Sequence, residues 1–186
     1  MNVVVSRIDG KNWERVRRCA RFTIGKDDIN GPVSDKFKRQ MLIARHSVLR
    51  ELEFSVEMYG IPSFVSVHLV RHHIGANHYV GTSRPDRTEL RDRHEQRKDD
   101  PCNHLMTINA AELLHLCEQR LCSKAEEQTR MVVSKIVAEL SKIEPLVAGY
   151  CKMSCVRIGF CPEHDGCRFC YSHSCKVYRK ELYGDS

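Results

Sequence analysis

Apolar residues fall along this chain with two different spacings, and each spacing implies an element. Near the start, NVVVSRI has the β-branched composition of a strand. KNWERVRRCARFTI suits a short helix, which Gly25 and the following NGP interrupt. From Ser34, SDKFKRQMLIARHSVLREL sets Phe37, Met41, Ala44 and Val48 at helical intervals, with Ser34 as the N-cap. EFSVEMYG then alternates Phe54, Val56 and Met58 with Glu53, Ser55 and Glu57, the period of a half-buried strand closed by Gly60. Pro62 fits the first turn of a helix, so PSFVSVHLVRHH is expected to run helically as far as the Arg71-His72-His73 triplet. The strongest helical block is TINAAELLHLCEQRLCSKAEEQTRMVVSKIVAELSKIEPL. There Ala110, Leu113, Leu114, Cys117 and Leu121 share a face, and Met131, Ile136, Leu140 and Ile143 continue the apolar content. Residues 84–101 mix both charge signs with almost no apolar content and read as a solvated loop; a lid over a site is the alternative.

The 186 residues suit one domain, or one domain with a small appendage. At 41% hydrophobic and 29% charged the composition is that of a globular protein, and no apolar run approaches the roughly 20 residues of a membrane helix. The opening MNVVVSRIDG lacks the basic and apolar regions of a signal peptide, which points to the cytoplasm. A net charge of +6 is a mild excess spread over the chain. It fits phosphate-bearing small molecules at least as well as nucleic acid, which calls for a denser cationic stripe.

Two regions carry candidate chemistry. In LVRHHIGANHYVGTSRPDR, the Arg-His-His triplet reads either as a solvated helix end or as a site for an anionic cofactor. On the later helical block Asn109 and Arg120, eleven positions apart, point almost the same way, with Lys124 a turn beyond. That polar row either lines a cleft or is a plain amphipathic border. Cys117 and Cys122 lie on or beside the apolar face and suit packing. The second region is the end of the chain, where six of the ten cysteines fall within the last 36 residues. Cys167-x-x-Cys170 is a half-site for a soft metal, and Cys155 and Cys161 complete a four-thiolate zinc set. Cys151, His164, His173 and Cys175 are spare ligands, and free thiols or an iron–sulfur cluster are the alternatives. The basic, aromatic VYRKELY leaves open a zinc-ribbon module for nucleic acid.

Three blocks together resemble the flavin-dependent thymidylate synthase family. That family carries an Arg-His-Arg triplet followed, after seven residues, by a serine. The triplet comes after a GHxSxLEHxxFxFxIxGIS stretch and before an NARSLLHFLxLRLCxxAQWEIR helix. Here Ala44 to His73 aligns without a gap, with Ser47, Val48, Leu49, Phe54, Gly60, Ile61, Leu69, Val70, Arg71 and His72 coinciding. In the helix block Asn109, Ala110, Leu113, Leu114, His115, Arg120, Leu121, Cys122, Ala125 and Arg130 coincide. The resemblance implies an α+β fold, a central sheet with long helices, over residues 1–150; the Cys-rich stretch 151–186, which departs from the ordinary family pattern, is read as a small metal-binding appendage. It implies flavin contacts from Ser47, Arg71, His72, His73, Asn109 and His115, and a nucleotide-phosphate contact from Arg120, with Lys124 beyond it. FAD would be the cofactor, NADPH and methylenetetrahydrofolate the co-substrates, and uracil C5 of a pyrimidine nucleotide the acceptor. A homotetramer with shared sites is implied too, and short phage-type relatives share a cysteine-bearing end.

The departures lie on the nucleotide side. The third triplet position is His73; the signature serine falls on Gly81; the Glu two before it falls on Tyr79; and the Arg two after it falls on Ser83. Ser83 and Arg84 are the candidates to rebuild an anion site there. The uracil-facing Gln lands near His68, the Arg of NAR is Ala111, and the His of GH is Arg45. A one-carbon transfer to deoxyuridylate is therefore expected first. Modification of another pyrimidine, such as hydroxymethylation, is the alternative, and a non-catalytic zinc-stabilised nucleotide- or nucleic-acid-binding protein is the third reading.

Overall fold

The alternation of Val3 and Val5 with outward Val4 makes the first strand, β1 (Asn2–Arg7), which pairs antiparallel with β2 (Glu53–Pro62). The computed structural model describes residues 1–82 and 97–184. Two further strands, β3 (Ala76–Val80) and β4 (Pro101–Asn109), complete an antiparallel sheet of order β1-β2-β4-β3. Its inner face carries Val3, Val5, Phe54, Val56, Met58, Met106 and Ile108, all buried beneath helices; Val4, Tyr59, Tyr79 and Leu105 stay exposed on the other face. With helices packed against this sheet, the fold is α+β.

The helices follow their caps. Asn12 caps α1 (Trp13–Phe22) through the Arg15 N–H, and Ser34 caps α2 (Asp35–Ile43) through that of Phe37, as its sequence position implied. A 3-10 turn, Ser47–Glu51, leads into β2. The short α3 (Ser63–Leu69) stops at Leu69, so the Arg71-His72-His73 triplet lies beyond the helix rather than on it. Gly60 does not close β2. It adopts φ +64° at a register shift between Met58 and Ile61, a bulge that the strand passes through, and the Asn103 side chain accepts its N–H at 3.2 Å.

The expected long helical block divides. Thr107, Ile108 and Asn109 end β4, because His104, Met106 and Ile108 alternate into the core with a strand period. Asn109 is the N-cap of α4 (Ala110–Arg120), and a separate α5 (Glu127–Ile143) begins behind the Glu126 carboxylate, which accepts the N–H groups of Gln128 and Thr129. Lys124 therefore lies in the connection and not one helical turn past Arg120. Helix α5 packs on β1, and Pro145 starts α6 (Pro145–Tyr150). Met131, expected on the apolar face, is exposed, whereas Val132, Val133, Ile136 and Leu140 are buried.

Beyond Tyr150 come α7 (Ser154–Ile158), a 3-10 turn at Phe169–Tyr171 and α8 (His173–Tyr183). This segment is tied to α4 by Arg157, whose Nε and Nη2 donate to the Glu118 carboxylate at 2.7 and 3.1 Å. Arg45 donates to the same carboxylate at 2.6 Å. Tyr150 donates to the Leu182 carbonyl at 3.2 Å and meets Tyr183 edge to face. Apart from the main core, Cys155, Val156, Cys170 and Cys175 form a second small buried cluster.

Candidate functional site: an anion cavity behind the histidine triplet

After α3 the chain turns sharply, with the His72 N–H on the Leu69 carbonyl at 2.9 Å, and then passes Gly75 against the start of α4. Gly75 has φ +92°, and a Cβ there would stand 2.3 Å from the Asn109 amide nitrogen; its carbonyl accepts the Asn109 N–H at 2.9 Å. Only glycine fits both the backbone angle and the approach. The contact lays the triplet across the first turns of α4. It also frees the side chain of Glu112. A Glu at the third helical position often reaches back to the N-cap N–H, but here Gly75 holds that N–H. Glu112 instead meets His72.

His72 is 6% exposed and engaged at both ring nitrogens. Its Nδ1 lies 3.1 Å from Glu112 Oε1, and its Nε2 lies 3.1 Å from Arg120 Nε. A guanidinium only donates, so Nε2 must be the acceptor and the ring proton sits on Nδ1, donated to Glu112. The electrostatics agree with a neutral ring: burial first, then the Arg120 charge, pulls the His72 pKa down to about 4. Burial pushes the Glu112 carboxyl upward. The contact is thus a hydrogen bond between a neutral imidazole and a carboxylate, not an ion pair.

A second chain of bonds holds the His72 backbone. The His72 carbonyl accepts from His78 Nε2 at 3.0 Å, His78 Nδ1 lies 3.0 Å from His104 Nε2, and His104 Nδ1 lies 3.0 Å from Ser66 Oγ. Because a carbonyl cannot donate, the chain with neutral His78 runs in one direction, from the Ser66 hydroxyl through His104 and His78 to His72. Burial, followed by the neighbouring His78, lowers the His104 pKa to about 4, which keeps that ring neutral too. Four elements, α3, β3, β4 and α4, therefore meet at one residue of the triplet.

In front of His72 is a cavity of about 390 Å³ lined by Arg71, His73, His115 and Arg120 together with Ile74 and Gln119. Arg120 loses some of its proton affinity through burial and through the nearby Arg71 charge. Two guanidinium groups that repel each other, with exposed imidazoles at the rim, make a site suited to an anion carrying several acceptor oxygens. His72, Glu112 and His115 also have ligand atoms within 4.8 Å of one another, the only such trio of His, Cys, Asp or Glu among the described residues. With Arg120 donating to His72, a cation there would face a charge of its own sign. The trio forms one wall of the cavity, with the His72–Glu112 hydrogen bond and the edge-on contact of the His115 and His72 rings.

Of the residues expected from sequence, Arg71, His72, His73, His115 and Arg120 come together in this cavity. Asn109 does not line it; its side chain accepts the Glu112 N–H at 3.0 Å and packs on Gly75, so it shapes the wall from behind. Ser47 sits in the 3-10 turn before β2 and is not among the lining residues. His68 turns its Nδ1 to the Thr129 hydroxyl at 2.8 Å, and only its carbonyl approaches Arg120, at 3.5 Å. Lys124 lies beside Cys167, whose thiol is held below its usual range by hydrogen bonds from Ser123 and the Phe169 backbone, with the Lys124 charge adding to them. Ser83 and Arg84 lie outside the described residues. Gly81, at the signature serine position, donates its N–H to the Asn103 carbonyl at 2.7 Å, and a Cβ there would press on that carbonyl at 3.3 Å. Sequence reasoning missed Glu112, His78, His104 and Ser66. The one available signal was Glu112 three positions after the capping Asn109.

Cys155, Cys161, Cys167 and Cys170 line a second, separate cavity of about 230 Å³, together with Cys122. They do not form a trio with ligand atoms within 4.8 Å.

An α+β fold of this kind has counterparts among known proteins. Residues 102–146, which include the α4 side of the cavity, match the family described as thymidylate synthase complementing protein. A flavin-dependent thymidylate synthase of Pyrococcus furiosus is 35% identical over 66 residues, 33% of this chain and 27% of that protein. The enzyme of the same description from Pyrococcus abyssi is 34% identical over 65 residues, again 33% of this chain and 27% of the relative. The chain thus spans about a quarter of the length of the curated relatives it matches. Among solved structures, a flavin-dependent thymidylate synthase from Helicobacter pylori, complexed with FAD and dUMP, superposes with a TM-score of 0.68 at 15% identity, covering 82% of this chain and all, 100%, of that one. A UMP/dUMP methylase from Streptomyces cacaoi, bound with 5-Br dUMP, gives 0.61 at 15% identity, covering 80% of this chain and 94% of that one. At such identity these two show the fold. The family match and the local identity fall on the same part of the chain, and together with the fold they make it similar to the thymidylate synthase-complementing proteins.

Proposed function

We propose that this protein is a flavin-dependent transferase that adds a one-carbon unit from methylenetetrahydrofolate to C5 of deoxyuridylate or a related pyrimidine nucleotide, with FAD as cofactor and NADPH as reductant. The observation that carries the reading is the convergence of Arg71 and Arg120 on one cavity, within one chain, around a histidine locked in its neutral form. The donors present fit phosphate-bearing molecules, and both FAD and a nucleotide bring phosphate. FAD, when bound, would supply the redox chemistry of the transfer. The residues of this chain bind and orient. Arg120, aligned through its Nε bond to His72, presents its remaining N–H groups to an anion; Arg71, His73 and His115 add donors at the rim. Among the described residues no cysteine lines this cavity, so no thiol nucleophile is assigned to the reaction. The zinc expected of the tail takes no part in it.

The reading includes a homotetramer with sites shared between subunits, in which Ser47 and Asn109 would contribute to the flavin side. It also places the protein in the cytoplasm, in keeping with ten free cysteines. No helix among the described residues is long and apolar enough to cross a membrane. Nucleic acid is not a partner in this reading, since the cationic groups converge on a small cavity rather than along a groove.

The test is a flavin spectrum of the protein purified under reducing conditions, followed by tritium release from deoxyuridylate labelled at C5, with methylenetetrahydrofolate and NADPH present. Bound flavin and tritium release support the reading. A colourless protein that takes up no flavin contradicts it. A second reading keeps the fold and flavin but changes the product, for example to a hydroxymethylated pyrimidine. Gly81 favours it, because it stands where the family has its serine, and a Cβ there would press on the Asn103 carbonyl at 3.3 Å. The product mass separates the two. Flavin-dependent NADPH oxidation would remove the third reading, a non-catalytic binding protein.

A further inference from the structure

The cavity lined by thiols lies where the α4–α5 connection meets the end of the chain, well separated in sequence from the histidine triplet. Five of the ten cysteines surround it: Cys122 from the connection, and Cys155, Cys161, Cys167 and Cys170 from the tail. Core packing does not account for such a gathering. The second cluster contains one fully buried aliphatic side chain, Val156, and its other buried members are the thiols of Cys155, Cys170 and Cys175. Ordering backbone costs about 1–2 kcal/mol per residue, whereas one buried Val returns roughly 1.5–3 kcal/mol. The contacts of Arg157, Tyr150 and Tyr183 anchor the two ends of the tail, but the stretch between Gly159 and Cys170 has almost no apolar support.

That same stretch is bent so that its thiols share the cavity. Gly159 terminates α7 at φ +88°. Asp165 and Arg168 take left-handed angles of +52° and +62° on either side of Cys167, conformations that disfavour side chains other than glycine. Gly166 packs so near Cys161 that a Cβ would lie 2.6 Å from its sulfur. Two strained residues in a loop with little core need a compensating interaction, and besides Pro162, Glu163 and Phe169 the side chains this stretch brings to the cavity are the thiols of Cys161, Cys167 and Cys170.

We propose that this cavity is a zinc site, with Cys155, Cys161, Cys167 and Cys170 as its four thiolate ligands, and that zinc supplies the missing core of the tail. Four thiolates around a divalent ion leave a double negative charge, and Arg130 in the cavity wall offsets part of it. A tetrahedral zinc site places neighbouring sulfurs about 3.8 Å apart, from Zn–S bonds of about 2.3 Å. No cysteine trio in this structure has sulfurs within 4.8 Å, so binding draws the 159–170 stretch inward around the ion. Metal and tail order are therefore linked. The proposal does not depend on the flavin reading.

The test is metal analysis of the full-length protein purified anaerobically, with flavin content read on the same sample so that the two readings fail separately. Stoichiometric zinc is expected, falling to background in Cys161→Ser and Cys170→Ser and unchanged in Cys19→Ser. Cobalt exchanged for zinc should give the sulfur-to-metal charge-transfer band of a four-thiolate site. If the serine variants precipitate, thiol alkylation of the wild type decides. The four ligands should resist the reagent until a strong chelator is added, while Cys19 reacts at the same rate throughout. The proposal is overturned if the protein binds no zinc after incubation with the stoichiometric ion. It is also overturned if zinc survives in both serine variants, if iron and sulfide occupy the site instead, or if the chelator changes no alkylation rate.

Discussion

The anion cavity and the thiol cavity are built on opposite principles. Around His72, four regular elements from distant parts of the chain converge, and each polar group has a directional partner at 3.0–3.1 Å. Such a site is organised before any ligand arrives, and the surrounding core supports it. Around the tail thiols, short turns close in sequence bring the ligands near one another without fixing them. The first region positions its donors; the second waits for an ion to finish its fold. The contrast predicts that ligands will change the affinity of one region and the order of the other.

The largest effect should come from Arg120→Ala. A charge-assisted contact to phosphate is worth about 3 kcal/mol, so deoxyuridylate affinity should fall roughly a hundredfold, measured by calorimetry. If affinity moves less than about threefold, the anion cavity has been misplaced. Next in size is Gly75→Ala. The φ of +92° and the 2.3 Å approach to Asn109 force either the triplet or the start of α4 to move. A loss of about 2–3 kcal/mol in unfolding free energy is expected, read by urea denaturation.

Glu112 separates a positioning role from a purely electrostatic one. Glu112→Ala leaves the His72 Nδ1–H buried without an acceptor, at a cost of about 1–3 kcal/mol, whereas Glu112→Gln keeps an acceptor oxygen. The nitrogen chemical shifts of His72 should report the Nδ1–H tautomer in the wild type and in the Gln variant, and a mixture in the Ala variant. Retention of a single Nδ1–H tautomer in Glu112→Ala would show that Arg120 alone sets it.

The smallest effect is a pH dependence confined to the first region. His72 and His104 have folded pKa values of about 4, below the ordinary histidine value of 6.5. A depressed histidine favours folding fully above its unfolded pKa, and that contribution is lost as pH falls from about 6.5 towards 4, because only the unfolded chain takes up the proton. The melting temperature should therefore drop across that window. Below pH 4 these two groups should contribute no further slope. Thermal melts on the zinc-depleted protein, in which the thiol site is silent, isolate the effect.

The first two strands and the cap at Ser34 were legible in sequence because each rests on neighbours a few positions away, whereas Asn109, expected inside a helix, caps one instead. That Arg71, His72 and Arg120 would meet at one cavity was legible from their residue types and their places beside the two apolar blocks. The third and fourth strands were not. ANHYV is too short and polar to announce itself, and the alternation of His104, Met106 and Ile108 continues into a strong helical pattern without a break. Glu112 and His104 were missed for a different reason. Their roles depend on partners 38 and 40 positions away, and a charged or imidazole side chain at a buried position gives no periodic signal. Lys124 does not sit one turn past Arg120, because six residues of connection interrupt the helix whose phase had placed it there.

One measurement addresses the central claim: calorimetric binding of deoxyuridylate and of deoxyuridine, which lacks the phosphate, to the flavin-loaded wild type and to Arg120→Ala. If Arg120 serves the phosphate, the variant loses about a hundredfold for the nucleotide and almost nothing for the nucleoside. Equal losses for both ligands, or none for either, would contradict the account.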